Sequence, residues 1–235
     1  MSYSKIGIIG AMESEVIKLY SQMTDREEIK LKAWTFYTGR LSGTDVVIVR
    51  SGIGKVNMAA CTQALIDEFD VDCVMNTGIA GSLESKIDIG DIVISDDCIQ
   101  HDMDAVAFGY KLGVIPQMKC STFKADDELK KLAVETCKKV NPDINVFTGR
   151  VLSGDVFVAD QAKKDFLVSE FAGTCTEMEG AAMAQVAYMN KLPFVVIRAI
   201  SDKADNSAKV DYPTFEKKAI EHMVNLVVNF VAALN

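Results

Sequence analysis

At 235 residues, against a soft prior of about 150 residues per domain, the chain has room for one large domain or a compact pair. Hydrophobic residues make up 49% and charged residues 25%, a balance that supports a sizeable core and excludes disordered and fibrous folds. A formal charge of −8, from 25 Lys and Arg against 33 Asp and Glu, argues against a nucleic-acid backbone or an anionic membrane surface as partner.

Strand-like and helix-like segments then alternate. KIGIIGAM predicts a short strand buried on both faces, and ESEVIKLYSQM a helix, because Val16, Leu19, Tyr20 and Met23 recur at helical spacing. WTFYTGRLSGTDVVIV predicts a hairpin turning at Ser42-Gly43. GKVNMAACTQALIDEF reads as a helix, and VDCVMNTGI and GDIVISDDCI as strands. A helix is expected over 126–140, closed by Asn141-Pro142, followed by the strand INVFTGRVLSG and a helix over 160–171. A short strand leads into TEME, then come a helix over 180–190, the strand PFVVIRAI and a last helix from about Pro213.

This alternation favours an α/β sheet flanked by helices on both faces. The hairpin makes the sheet mixed, and runs such as FVVIRAI read as central strands. No linker, repeat or low-complexity tract divides the chain, so one domain over 1–235 is expected. Apolar stretches such as 194–197, and 223–234 with its interrupting Asn225 and Asn229, fall short of the roughly 18 residues of a membrane span. The apolar run over 6–12 leads directly into Glu13 and Glu15 with no small-residue cleavage site, so a cytoplasmic protein is expected. Cys61, Cys73, Cys98, Cys120, Cys137 and Cys175 form no CxxC pair and read as core thiols.

Only two histidines, His101 and His222, are present and they lie far apart, which speaks against a histidine metal site. GIIGAM lacks the full GxGxxG pattern, SGIGKV lacks the remainder of a phosphate loop, and no GxSxG occurs. Acids placed just after strands are more telling, because ligands of open α/β sheets bind beyond the carboxyl ends of strands. Glu15 (with Glu13), Glu179 (with Glu177) and Asp202 occupy such positions. Each alone is more readily read as an acid favoured by a helix dipole, worth about 0.3–1 kcal/mol. Together they suit cleavage of a glycosidic bond through a cation-like sugar, which needs an acid for the leaving group, a base for water and negative charge beside the cation. Asp202, ending a buried strand, is best placed to hold a proton near neutral pH.

The motifs IGIIGAMESE, SGIGKVNMA, NTGIAGSL, IGDIVISDD, HDMDAVAFGY, FKADDEL, SGDVFV, EMEGAA and FVVIRAISDKAD, in this order from residue 5 to about 215, resemble those of the bacterial 5′-methylthioadenosine/S-adenosylhomocysteine nucleosidases. The resemblance implies a nucleoside phosphorylase/hydrolase-like fold: a single α/β domain with a twisted mixed β-sheet, in a homodimer that takes small adenine nucleosides and needs no cofactor or metal. It implies that Glu15 activates water and that Asp202, helped by Ser201, protonates N7 of adenine. Glu179 would hold the ribose hydroxyls with Met178 beside the sugar, while Phe157 stacks on the base and the Val158 backbone reads its edge. Ile53 and Tyr212 would surround the sugar and the alkylthio group, and Phe108 would complete the neighbouring subunit's pocket. NTGIAGSL departs from the commoner family form, which has Ser or Thr at Ile79; contacts from the Ala80 and Gly81 backbone remain available. His101 is assigned no catalytic role and His222 reads as a helix residue.

The expected reaction is hydrolysis of 5′-thio-substituted adenosines to adenine and a 5-thioribose derivative. One rival is a phosphorylase, which needs clustered cations; Arg40, Arg50, Arg150 and Arg198 are scattered in sequence, and Glu15 would repel phosphate. A hydrolase of futalosine or deoxyadenosine is a second rival, and a nucleoside-binding protein without catalysis a third.

Overall fold

A computed structural model of the chain describes residues 3–234. Strand β1 (Lys5–Gly10) has five of its six residues buried, so neither face meets water, as in a sheet covered by helices on both sides. The elements that follow are α1 (Glu13–Tyr20), β2 (Thr24–Leu31), β3 (Trp34–Leu41), β4 (Thr44–Arg50), α2 (Lys55–Phe69), β5 (Cys73–Ser82) and β6 (Ile92–Gln100). A 3-10 turn (Val106–Phe108), β7 (Phe123–Lys124), α3 (Asp127–Val140), β8 (Val146–Ser153), α4 (Gln161–Phe171), β9 (Cys175–Glu177), α5 (Gly180–Asn190), β10 (Phe194–Asp202) and α6 (Ala208–Ala232) complete the chain.

All ten strands among the described residues join one mixed sheet. β1 lies parallel between β4 and β5, and β10 runs parallel to β5. β10 also pairs antiparallel with β6, which runs beside β8 and β9 back to β5. The pairings β5–β10–β6–β8–β9 therefore close into a ring, while β1, β4, β3 and β2 extend from it as an open arm. Side-chain alternation along β10 divides the core: Val195, Ile197 and Ala199 pack with α1, α3 and α6, whereas Phe194, Val196 and Ile200 pack with α2 and α5. A smaller cluster of Leu83, Ile99, Leu152 and Val158 lies under Leu167 and Phe171 of α4.

Several helix ends follow their side chains. Asp126 caps α3 by accepting from the Glu128 and Leu129 amides at 3.0 and 2.9 Å, and Asp160 caps α4 through Lys163 N–H at 2.8 Å, contacts of about 1 kcal/mol each.

Three expectations are corrected. The first helix stops at Tyr20, before Met23, because Thr24–Leu31 forms β2, an exposed strand whose first five residues are all polar. The last helix begins at Ala208 rather than near Pro213, which lies inside it; the turn over Asp205, whose carboxylate accepts from the Ser207 N–H and hydroxyl at 2.9 and 2.8 Å, starts it. β7 was also absent from the expected order. All six cysteines are free thiols, five of them buried, and no helix of the described residues is long and apolar enough to cross a membrane.

Candidate active site

Because β1, β4, β5 and β10 are mutually parallel along the sheet, their carboxyl ends open on one edge. There they surround a cavity of about 460 Å³. β9, antiparallel to β5 with Thr176 opposite Gly81, delivers Glu177, Met178 and Glu179 to the same place.

Glu15 sits in the first turn of α1, yet its carboxylate serves more than the helix dipole. It folds back over the end of β1, accepting from Ala11 N–H at 2.7 Å, Met12 N–H at 2.9 Å and Ile79 N–H at 3.3 Å. Burial raises its pKa, against the lowering by the Arg198 charge and these three amides. The adjacent β5 position is glycine for a steric reason: a Cβ on Gly78 would lie 2.6 Å from both Glu15 Oε1 and Arg198 Nη1. Glu13, in contrast, turns away to Arg50 and Tyr20.

Asp202 ends β10 fully buried. Its Oδ1 accepts from Ala204 N–H at 2.8 Å and its Oδ2 from the Ser201 hydroxyl at 2.9 Å. Burial pushes its pKa up despite those two donors, and Asp211 and Asp205 push in the same direction. Such a carboxyl keeps its proton to higher pH than an exposed one, as a general acid requires.

Glu179 stands where β9 turns into α5, and its Oε1 accepts from Gly54 N–H at 2.7 Å. Burial first, then the charge of Glu177, raise its pKa well above the usual carboxylate range; Arg198 and Gly54 N–H oppose them. Glu177 itself is held by the Glu179 and Gly180 amides at 3.0 and 2.8 Å, by the Ser153 hydroxyl and by the buried guanidinium of Arg198. The Arg198 guanidinium also donates to Asn76.

Of the residues expected at the site, Glu15, Ile53, Ala80, Gly81, Phe157, Met178, Glu179, Ser201, Asp202 and Tyr212 all line this cavity. Val158 lies behind it, in a small recess shared with Phe157, Met178 and Asp202. Phe157 and Tyr212 meet edge to face with ring centres 5.7 Å apart, and the Tyr212 hydroxyl points at Met12 Sδ, 3.4 Å away. Phe108 is not brought to the cavity; it stands on the surface turn, 85% exposed. Ile79 lines the wall beside Glu15, and its contact to that acid comes from the main chain, which any residue supplies.

Sequence reasoning missed Arg198 as part of this site and treated Glu177 only as a neighbour of Glu179. The signal was present: a lone arginine inside an otherwise apolar buried strand requires a buried acid as partner. Among the described residues no cluster of three or more His, Cys, Asp or Glu is arranged to hold a metal ion.

Comparison with known proteins gives the site a context. The model of the phosphorylase superfamily matches residues 5–232. A 5′-methylthioadenosine/S-adenosylhomocysteine nucleosidase of Geobacillus sp. (strain WCH70) is 44% identical over 231 residues, covering 98% of this chain and 99% of the relative. The crystal structure of such a nucleosidase from Colwellia psychrerythraea 34H in complex with adenine superposes with a TM-score of 0.94 at 39% identity, covering 100% of this chain and 96% of that one. Futalosine hydrolase of Helicobacter pylori strain 26695 superposes with a TM-score of 0.92 at 34% identity, covering 98% of each chain.

Proposed function

The chain belongs to the phosphorylase superfamily and, within it, to the 5′-methylthioadenosine/S-adenosylhomocysteine nucleosidases, and from that premise we propose how it works as a purine nucleosidase. It hydrolyses the N-glycosidic bond of 5′-methylthioadenosine and S-adenosylhomocysteine, releasing adenine and the corresponding 5-thioribose. The observation that carries this reading is the convergence of Glu15, Glu179 and Asp202 on one cavity.

Asp202, whose pKa is raised by burial, donates a proton to N7 of the adenine and draws electrons into the leaving base. Ser201 orients the carboxyl through its 2.9 Å hydrogen bond. As positive charge grows on the ribose, the Glu179 carboxyl group holds the sugar hydroxyls. Met178 lies beside the ribose, and Glu15 takes a proton from water attacking the anomeric carbon. Phe157 stacks on the base and the Val158 main chain reads its edge. Backbone from Ala80 and Gly81 closes the base side, and Ile53 and Tyr212 border the sugar and its thioether. Proton transfers of this kind contribute about 10²–10⁴-fold each.

Charge argues for water over phosphate as nucleophile. Arg40, Arg50 and Arg150 are each paired outside the cavity, with Asp45, Glu13 and Asp97, and Arg198 already faces Glu177. No clustered cations among the described residues remain to gather a phosphate beside the Glu15 carboxylate.

The same proposal places Phe108 in the pocket of a second copy, forming a homodimer. Phe108, Val106 and Val156 are large apolar side chains left exposed, and exposed apolar surface of this kind marks association sites. A cytoplasmic setting is the further part of the reading, supported by six free thiols.

The test is release of the free purine base, adenine from a panel of 5′-substituted adenosines and hypoxanthine from futalosine, in phosphate-free buffer. Release from methylthioadenosine and S-adenosylhomocysteine without phosphate is expected. Dependence on added phosphate, preference for futalosine, or binding without release would each overturn the assignment.

A further inference from the structure

Beside the cavity, three loops meet at a closed ring of polar contacts that the chemistry above does not use. The loop before α2 carries Ile53 and the Gly54 amide that holds Glu179. The loop after β8 carries Phe157, and the loop after β6 leads to the turn bearing Phe108. Helix α2 has no side chain of its own to cap it, since its cap is Gly54 at φ 96°. Asp155 supplies the missing acceptor from the neighbouring loop, taking the Lys55 N–H on Oδ1 at 2.8 Å. The Asp155 N–H in turn donates to Asp102 Oδ2 at 2.9 Å, and Asp102 Oδ1 pairs with Lys55 Nζ at 2.6 Å. Lys55 Nζ also donates to Gln100 at 3.0 Å. The packing is close: a Cβ on Gly154 would lie 3.2 Å from Asp102 Cγ and nearer still to the His101 ring.

We infer that Lys55, Asp102 and Asp155 form a positioning triad that fixes the distance between the sugar wall and the base wall of the cavity, and ties both to the segment carrying Phe108. Each residue bonds to the other two from a different segment, Lys55 from the start of α2 and Asp102 and Asp155 from the loops after β6 and β8, so none can shift without breaking two of the three contacts. The triad touches no reacting atom. It acts by holding Ile53 and Phe157 in register and by holding Gly54 N–H on Glu179. The inference rests on reading the cavity as an adenine nucleoside site.

The experiment measures the adenine Kd by calorimetry alongside KM and kcat for methylthioadenosine. Asp155→Ala should raise the Kd and the KM together by about tenfold with a smaller fall in kcat, because the displaced walls carry Ile53 and Phe157 while only the Gly54 N–H reaches an acid of the site. Asp155→Asn keeps the acceptor and should restore both constants to within about threefold of wild type. If Asp155→Ala is not recovered folded, Lys55→Met, which keeps the apolar stem and deletes the ammonium, carries the same two readouts. Folded variants with wild-type adenine Kd, or an Asp155→Asn as impaired as Asp155→Ala, would overturn the triad. A wild-type protein that binds adenine but releases none from any nucleoside would overturn the hydrolase reading instead, and the adenine Kd would still judge the triad.

Discussion

The cavity has a floor and a rim built on opposite physical principles. On the floor, Glu15, Glu179 and Asp202 are all buried, sit at a strand end or where a helix begins, and accept hydrogen bonds from main-chain amides. At the rim, Ile53 and Phe157 are about half exposed, at 54% and 46%. A floor of this kind is preorganised for charge and costs folding free energy, because carboxylates removed from water resist ionisation. A rim of exposed apolar side chains contributes little to folding and has its best use when a substrate or a second subunit covers it. The division predicts that floor substitutions change rate and pH dependence, whereas rim substitutions change affinity.

The largest effect should come from the floor. Asp202→Asn removes the donated proton while leaving an oxygen to accept from Ser201 or Ala204, so kcat should fall roughly 10²–10⁴-fold with circular dichroism unchanged. Glu15→Gln should fall comparably, since Gln cannot take a proton from water. Rates near wild type in either folded variant would dissolve the distinction between floor and rim.

An intermediate effect is expected at the rim. Stacking of a base on an aromatic ring is worth about 1–3 kcal/mol, so Phe157→Ala should raise KM roughly tenfold or more and leave kcat largely intact. Phe108→Ala should likewise raise KM, and mixing it with an inactive Asp202→Asn partner would restore normal KM to the half of the sites that receive an intact Phe108. If Phe157→Ala instead lowers kcat as much as it lowers kcat/KM, the ring acts on the transition state and belongs with the floor.

The sequence foretold the floor better than the architecture around it. Glu15, Glu179 and Asp202 were legible because strand ends are predictable from apolar runs, and an acid immediately after such a run is conspicuous. The strand β2 was not legible, since Thr24–Leu31 has apolar residues only at Ile29 and Leu31 and pairs in the sheet with β3 alone. Nor was the closure of β5, β10, β6, β8 and β9 into a ring, because it depends on β10 pairing on both sides with strands distant in sequence. Arg198 stood in plain view within FVVIRAISD but was read as one of four scattered arginines; its meaning depends on Glu177, and no local pattern links the two. The lesson of Ile79 is similar, as the departure lies in a side chain where Glu15 receives a backbone amide.

The smallest effect separates floor from rim through stability rather than rate. Glu179 has a pKa raised first by burial and then by Glu177, while in the unfolded chain a glutamate titrates near 4.3. The folded state therefore binds this proton more tightly than the unfolded state does. Stability linked to Glu179 is fully present below the unfolded pKa and is lost as pH rises through the raised folded value. Glu179→Gln keeps an oxygen for Gly54 N–H and carries no charge, so it escapes that loss. Its thermal midpoint should exceed that of the wild type at pH 8, with each kcal/mol regained appearing as about 2–4 °C for a chain of this size. The gap should shrink steadily as pH falls and close near pH 4, where the wild-type carboxyl is itself neutral. No rim substitution should show this, because Ile53 and Phe157 carry no titrating group. A midpoint difference that stayed constant across pH would mean that the Glu179 carboxylate is stabilised in place, and that the floor's cost in folding lies elsewhere.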